Sequence, residues 1–364
     1  MKIVTIVGAR PQFVKAGVIS RLLQSEQLIK EVIIHTGQHF DHNMSSVFFE
    51  DMEIPEPNYN LNINNLSHGA MTGEMLKEIE IILLDEAPDY VLVYGDTNST
   101  LAGALAAKKI HLKVIHIEAG LRSNNIKMPE EVNRILTDRI SSLLFCPTKK
   151  SIQNLTNEGF PFQGSQIVLS GDIMCDAALY YSKYSAEKSD IMEMYELEKK
   201  KFLLCTIHRE ENTNDLNQLR NIFKALDLLS NQYEIICPLH PRTQKIIEKN
   251  SISTKVKIIN PVGYFDMIEL LKNCSVVVTD SGGLQKEAFF FKKYCITLRA
   301  ETEWVELVEN NVNFLVGSSL EEIPSIVKNL PSDISSFNFS PYGSGSAGSI
   351  IIEEIKKDFQ SGIQ

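Results

Sequence analysis

The stretch His116–Arg134, HIEAGLRSNNIKMPEEVNR, sets Glu118, Arg122, Glu130, Glu131 and Arg134 within one short length of chain. Glu118 comes directly after the β-branched run Val114–Ile117, and Gly120 frees the backbone behind it. A carboxylate so placed is aimed at the carboxyl edge of a sheet, where open α/β sheets bind ligands. Glu130 and Glu131 have a plainer reading as well, since acids are favoured in the first turn of a helix. Asp96 repeats the pattern of Glu118: it follows the apolar run Tyr90–Tyr94 and Gly95, ahead of a helix from about Ser99. It reads either as an N-cap or as an active-site carboxylate.

Groups that suit a phosphate gather elsewhere. Asp280-Ser281-Gly282-Gly283 follows an apolar run and opens a helix, where free amides and the lack of side chains let an anion approach. Glu287, one turn on, is placed to accept hydrogen bonds from ribose hydroxyls. His208-Arg209, and His240 with Arg242, also come straight off predicted strands. Gly8-Ala9-Arg10-Pro11 joins the first predicted strand, Ile3–Val7, to a helix reaching about Leu23, with Arg10 and Lys15 adding positive charge beside its start. The turn is not GxGxxG, so no dinucleotide fingerprint is indicated. His35, His39 and His42 raise the question of a metal, but no acidic partner at an HExxH-type spacing accompanies them, which favours a polar loop. The first half thus offers carboxylates and the second offers phosphate and nucleoside ligands. A nucleotide sugar held in a cleft between two domains is the expected ligand.

The elements that carry these residues alternate strand and helix over about 170 residues, then restart at Lys201 after the plausible hinge Ser170-Gly171-Asp172. Two doubly wound α/β domains are expected: 1–169, and 170–348 with the glycine- and serine-rich run Tyr342–Gly348 leading into a helical tail, 349–364, that packs back on the first. The segment Pro55–His68 reads as a long loop. The 364 residues are ample for two domains, and the hydrophobic 43% and charged 23% are those of a globular protein. With 36 basic and 46 acidic residues, a net charge of -10, the composition argues against a nucleic-acid or membrane-surface binder. No apolar run approaches a membrane span, and the N-terminus reads as strand and turn, not as a signal peptide. The six cysteines lack any CxxC pair, so neither zinc nor a disulfide framework is expected; they suit a cytoplasmic protein.

Taken together, GARPQFVK (8–15), TGQH (36–39), YGDTNST (94–100), HIEAGLR (116–122), MPEEVNR (128–134), TIHREEN (206–212), PLHPR (238–242) and DSGGLQKE (280–287) resemble the non-hydrolysing UDP-N-acetylglucosamine 2-epimerase family along nearly the whole chain. The resemblance implies a glycosyltransferase B fold of two Rossmann-like domains. It implies reversible inversion at C2 of a UDP-2-acetamido sugar, through anti elimination of UDP to a 2-acetamidoglycal, with no metal or nicotinamide. Carried over by motif, Asp96, Glu118 and Glu130 are the catalytic carboxylates, with His208 beside them. Arg10, Lys15, His208, Ser281, Gly282 and Glu287 contact UDP, and Gln38, Arg122, Arg134, Arg209, His240, Tyr264 and Gly283 complete the substrate-binding set. A cytoplasmic homodimer serving surface polysaccharide biosynthesis, capsule or lipopolysaccharide, is also implied.

The chain departs from hexosamine-specific members at two places. Leu66-Ser67-His68-Gly69 stands where an Arg-Gln pair of an allosteric substrate site is expected, and RAETEWVELVENN (299–311) replaces the usual Thr-Glu-Arg-Pro-Glu run. Both look more like the subgroup acting on UDP-2,3-diacetamido-2,3-dideoxyglucuronate. A UDP-sugar-dependent glycosyltransferase of the same fold, or a non-catalytic nucleotide-sugar-binding module, are the alternatives. Neither needs carboxylates for both faces of C2.

Overall fold

The computed structural model describes residues 1–38, 49, 52, 54–162, 164–331 and 334–362. They form two compact units, Met1–Ala177 with Pro341–Gln364, and Ala178–Ser340.

In the first unit the strands are β1 (Lys2–Val7), β2 (Lys30–His35), β3 (Tyr59–Asn60), β4 (Tyr90–Tyr94), β5 (Lys113–Ile117), β6 (Leu143–Cys146) and β7 (Gln166–Leu169). They make one parallel sheet in the order β3-β2-β1-β4-β5-β6-β7. Short β-branched runs suit strands covered on both faces, and every residue of β4 and β6 is buried. The covering and connecting helices are α1 (Arg10–Gln24), α2 (His68–Glu86), α3 (Asn98–Lys109), α4 (Pro129–Ile140) and α5 (Lys149–Asn157), with α6 (Ile173–Tyr181) following β7. Pro11 and Pro129 sit in the first turns of α1 and α4, where a missing N–H removes no helical hydrogen bond. Strand order reverses between β1 and β4, so the turns after these two strands flank a topological switch point. The C-terminal helix Ala347–Ser361 returns to this unit. Asp176 accepts the N–H groups of Ala347 and Gly348, Lys356 pairs with Glu26 at 2.8 Å, and Asp358 pairs with Lys113 at 2.8 Å.

The second unit repeats the scheme. Strands β8 (Phe202–Thr206), β9 (Glu234–Pro238), β10 (Lys257–Ile259), β11 (Val276–Thr279), β12 (Tyr294–Thr297) and β13 (Asn313–Leu315) are parallel in the order β10-β9-β8-β11-β12-β13. Its main helices are α7 (Leu216–Leu229), α8 (Pro241–Lys249), α9 (Tyr264–Asn273) and α10 (Gly282–Phe290). The switch point here lies between β8 and β11. Both units are therefore Rossmann-like.

Local chemistry explains where the elements differ from expectation. The expected loop Pro55–His68 contains the edge strand β3, and α2 starts at its last residue, His68. Ahead of α7, the short helix Glu210–Asn214 ends at Asp215, whose carboxylate accepts the N–H groups of Asn217 and Gln218 and caps α7 afresh. Glu322–Asn329 is a further helix, and Pro324 sits in its first turn, where a proline is tolerated. Among the described residues no helix is long and apolar enough to cross a membrane.

Candidate functional site

At the first switch point, the turn after β1 is packed too tightly for any side chain. A Cβ on Gly8 would lie 2.1 Å from Thr36 Oγ1 and 2.2 Å from Ser99 Oγ. Gln12, buried one turn into α1, ties this turn to the one after β4. Its Oε1 accepts the N–H groups of Gly8 (2.8 Å) and Ala9 (3.0 Å), while Nε2 donates to the carbonyl of Tyr94 (2.9 Å) and to Thr100 Oγ1 (3.0 Å). One amide thus fixes two ligand-edge turns against each other.

Next to them sit the charged groups. Lys15 Nζ forms an ion pair with Glu118, both nearly buried, with side chains 8% and 11% exposed. Gly95 has φ of +62° and lies against this pair: a Cβ there would meet Glu118 Oε2 at 3.3 Å and Lys15 Nζ at 3.5 Å. Glu118 itself has φ of +72°, a left-handed conformation that disfavours a side chain. The N–H groups of Glu118 and Ala119 both donate to the Phe145 carbonyl, at 3.1 and 3.0 Å, and hold the turn in that shape. Behind it the buried His116 bridges Asp138 and the Gly95 carbonyl, each at 2.7 Å.

Asp96 is gripped by Arg134, whose Nε lies 3.2 Å from Oδ2 and whose Nη2 donates to the same oxygen. The Asp96 side chain keeps 30% of its surface open, yet protein crowds its carboxyl on most sides. That burial raises the carboxyl above its ordinary value, against the opposing pull of Arg134 and Lys15; nearby Glu118 adds to the rise. Two carboxylates with different cationic partners therefore stand at one sheet edge.

The other expected residues of this unit divide. Arg10 opens α1 and is half-buried. Gln38 accepts hydrogen bonds from Ser99 N and Oγ, at 3.3 and 2.8 Å. Arg122 is occupied with Asp138 (2.7 Å), Glu158 (2.6 and 2.9 Å) and the Leu121 carbonyl, so it serves as a strut of the Glu118 turn. Glu130 is exposed and makes no hydrogen bond or ion pair among the described residues; the engaged acid of the pair is Glu131. His35 is a core residue stacked on Phe13, with ring centroids 5.2 Å apart, while His39 and His42 lie outside the described residues. Among the described residues no His, Cys, Asp or Glu cluster could hold a metal ion.

In the second unit, the turns after β8 and β11 are joined by Asp280. Its carboxylate accepts the N–H groups of His208 (3.1 Å) and Arg209 (3.0 Å) and Asn212 Nδ2 (3.0 Å), and meets His208 Nδ1 at 2.8 Å. Burial alone would raise the Asp280 carboxyl, but His208, Asn212 and the Arg209 amide outweigh it and hold it below its ordinary value. Arg209 Nε donates to the Asp280 carbonyl. Ser281 caps α10 through Leu284 N, and a Cβ on Gly283 would meet open space. Trp304 Nε1 donates to the Gly282 carbonyl at 2.8 Å, and Arg299, paired with Glu303, lies just beside that glycine. Glu287 is half-buried one turn on. His240 acts as the cap of α8, accepting from Arg242 N at 3.2 Å, and Tyr264 opens α9 in an aromatic cluster with Tyr181 and Phe265.

Sequence reasoning did not single out Gln12 or Asp138, though Gln12 lies inside a quoted motif; Glu131 and Asp280 were named, but not the partners that make them shape the site. A polar residue within a motif but off its exposed face was the available signal.

Comparisons with known proteins identify the family. The family model described as UDP-N-acetylglucosamine 2-epimerase matches residues 21–356. The chain is 50% identical over 358 residues to the UDP-2,3-diacetamido-2,3-dideoxy-D-glucuronate 2-epimerase of Pseudomonas aeruginosa, covering 98% of this chain and 100% of that one. It is 42% identical to a UDP-N-acetylglucosamine 2-epimerase of Methanococcus maripaludis, covering 96% and 97%. Among solved structures, the Methanocaldococcus jannaschii UDP-GlcNAc 2-epimerase in complex with UDP-GlcNAc and UDP is similar at a TM-score of 0.88 and 41% identity, covering 98% and 100%. The Neisseria meningitidis enzyme bound to UDP-GlcNAc is similar at 0.87 and 32%, covering 98% and 100%.

Proposed function

The chain belongs to the UDP-N-acetylglucosamine 2-epimerase family, and from that premise we propose that it inverts C2 of a UDP-2-acetamido sugar without hydrolysing it. The observation that carries this reading is the pair of carboxylates, Asp96 on Arg134 and Glu118 on Lys15, at the switch point of the first sheet. One carboxylate removes the C2 proton as the bond from C1 to the UDP oxygen breaks, leaving a 2-acetamidoglycal and UDP. UDP then re-forms the bond to C1 while a proton is delivered to the opposite face of C2. C2–H is a weak acid, so its loss must be coupled to departure of a stabilised anion. An Asp96 whose carboxyl is raised by burial is suited to hold a proton ready to give. Glu130 completes the carboxylate set. His208 and the α10 amides at Ser281, Gly282 and Gly283 stabilise the diphosphate, joined by Arg10, Lys15 and Arg209, and Glu287 takes the ribose.

Within the family, the diacetamido uronate is the substrate we favour. The 50% identical relative carries that name, and Ser67-His68-Gly69 and Thr302-Glu303-Trp304 both depart from the hexosamine pattern. UDP-GlcNAc is the alternative substrate. The enzyme acts in the cytoplasm, supplies surface polysaccharide synthesis, and works as a homodimer, for which the exposed Ile81 and Leu84 of α2 offer an apolar face.

The test is NMR in deuterated water with UDP-GlcNAc and the diacetamido uronate in parallel, without any acceptor. An epimerase incorporates deuterium at C2 of its substrate and forms the C2 epimer. A glycosyltransferase leaves C2 protonated, and that result would overturn the proposal.

A further inference from the structure

Glu131 is one of the least exposed acids of the first unit, at 2%, and none of its partners explains it as a helix N-terminal acid. Its carboxylate accepts from Ser123 N (3.0 Å), Ser123 Oγ (2.9 Å), Asn124 N (2.9 Å) and Arg134 Nη1 (2.6 Å). None of these belongs to the free amides of its own helix. Burial works against its charge, but the Ser123 and Asn124 amides and Arg134 outweigh it and hold the Glu131 carboxyl below its ordinary value, so it stays ionised.

Arg134 is therefore shared along its planar fork: Nη1 goes to Glu131, while Nε and Nη2 go to Asp96. A guanidinium held at one end by a fixed carboxylate has its plane and reach set at the other. Asn133 Nδ2 holds the Asp96 carbonyl at 2.9 Å from the same helix. We propose that Glu131 is a positioning residue for the epimerisation, keeping the Arg134 fork on Asp96 and so setting the charge state in which Asp96 meets the substrate. The proposal rests on the epimerase reading for its kinetic consequence. The charged groups that face Asp96 are Arg134 from α4, Lys15 from α1 and Glu118 after β5. Loosening Arg134 removes the strongest of the two cationic pulls, so Asp96 gains its proton at higher pH.

Two measurements on the full chain test this. In Glu131→Gln the Asp96 carboxyl, followed by carbon NMR, titrates higher by about one pH unit, the scale on which a nearby opposite charge acts. With the sugar that the wild type epimerises, kcat falls about 10- to 100-fold, part of a full acid/base contribution, while KM stays within about threefold. The limb of the pH profile governed by Asp96 moves upward, and Glu131→Gln adds little to the loss already caused by Asp96→Asn. Glu131→Asp, which keeps the carboxylate but shortens its reach to Arg134 Nη1, moves the Asp96 titration the same way by less and serves if Glu131→Gln folds poorly. If Glu131 merely staples the 123–124 loop, both variants lower Tm while the Asp96 titration stays put and the rate losses add. That outcome overturns the proposal. A wild type inert towards both sugars would instead defeat the epimerase reading, and the Asp96 titration would still decide the role of Glu131.

Discussion

Lys15→Met and Glu118→Gln each leave one charge of the pair without its counter-ion. The two side chains are only 8% and 11% exposed, so water screens the stranded charge poorly. Breaking a fully buried pair from one side costs about 3–5 kcal/mol. With a tenth of each side chain still wet, we expect about 2–3 kcal/mol for either single change. Lys15→Met/Glu118→Gln removes both charges and should cost well below the sum of the two, with a coupling of roughly 2 kcal/mol. The only tryptophan, Trp304, lies in the second unit, so its fluorescence reads the wrong half of the chain. Amide exchange of β1, β4 and β5, or calorimetric unfolding, reads the right one. Function separates the partners: Lys15→Met weakens UDP binding, whereas Glu118→Gln leaves it nearly unchanged and lowers turnover by about two or more orders of magnitude. Single-variant costs that add to within about 0.5 kcal/mol would refute the reasoning, because independent residues add.

Asp96→Asn and Glu130→Gln should likewise each lower turnover by about two orders of magnitude in a coupled epimerisation assay. A near-normal Glu130→Gln would remove that exposed residue from the carboxylate set. Glu287→Gln should weaken UDP binding by about 1 kcal/mol in titration calorimetry, roughly one hydrogen bond to a charged group. The Asp280 carboxyl is held below its ordinary value of 3.8, so its stabilising contribution is present above about that pH and is lost as pH falls through its lowered folded value. Asp280→Asn should flatten that acid-side loss of second-unit stability, seen as Tm against pH. Initial rates should be hyperbolic in substrate with no need for a UDP-GlcNAc activator, because a serine and a histidine at 67 and 68 lack the forked grip of a guanidinium on a diphosphate. Sigmoidal rates against UDP-GlcNAc would count against this.

The two Rossmann-like sheets were legible because their strands are buried on both faces and therefore read as short apolar runs: Tyr90–Tyr94 matches β4 residue for residue, and β6 and β11 are runs of the same kind. What was not legible was decided by partners distant in sequence. Asp215 ends one helix and starts another through two hydrogen bonds that periodicity does not register. His116 lies inside the run Val114–Ile117, and nothing in that run shows that Asp138 and the Gly95 carbonyl stand at its two ring nitrogens.

The same limit applies to the acids at 130 and 131, where motif and structure point to different residues. Adjacent positions on a helix differ by about 100° in direction, so one carboxylate of such a pair faces the protein and the other faces out. Spacing alone does not say which. The structure buries Glu131 beneath the Ser123–Asn124 loop and leaves Glu130 outward. In the proposed function the outward carboxylate meets the substrate, and the buried one, besides holding the Ser123–Asn124 loop, acts through Arg134. A motif of two consecutive acids therefore carries two separable roles, and a substitution at each should fail differently: Glu130→Gln in turnover alone, Glu131→Gln in turnover together with the pH at which Asp96 titrates.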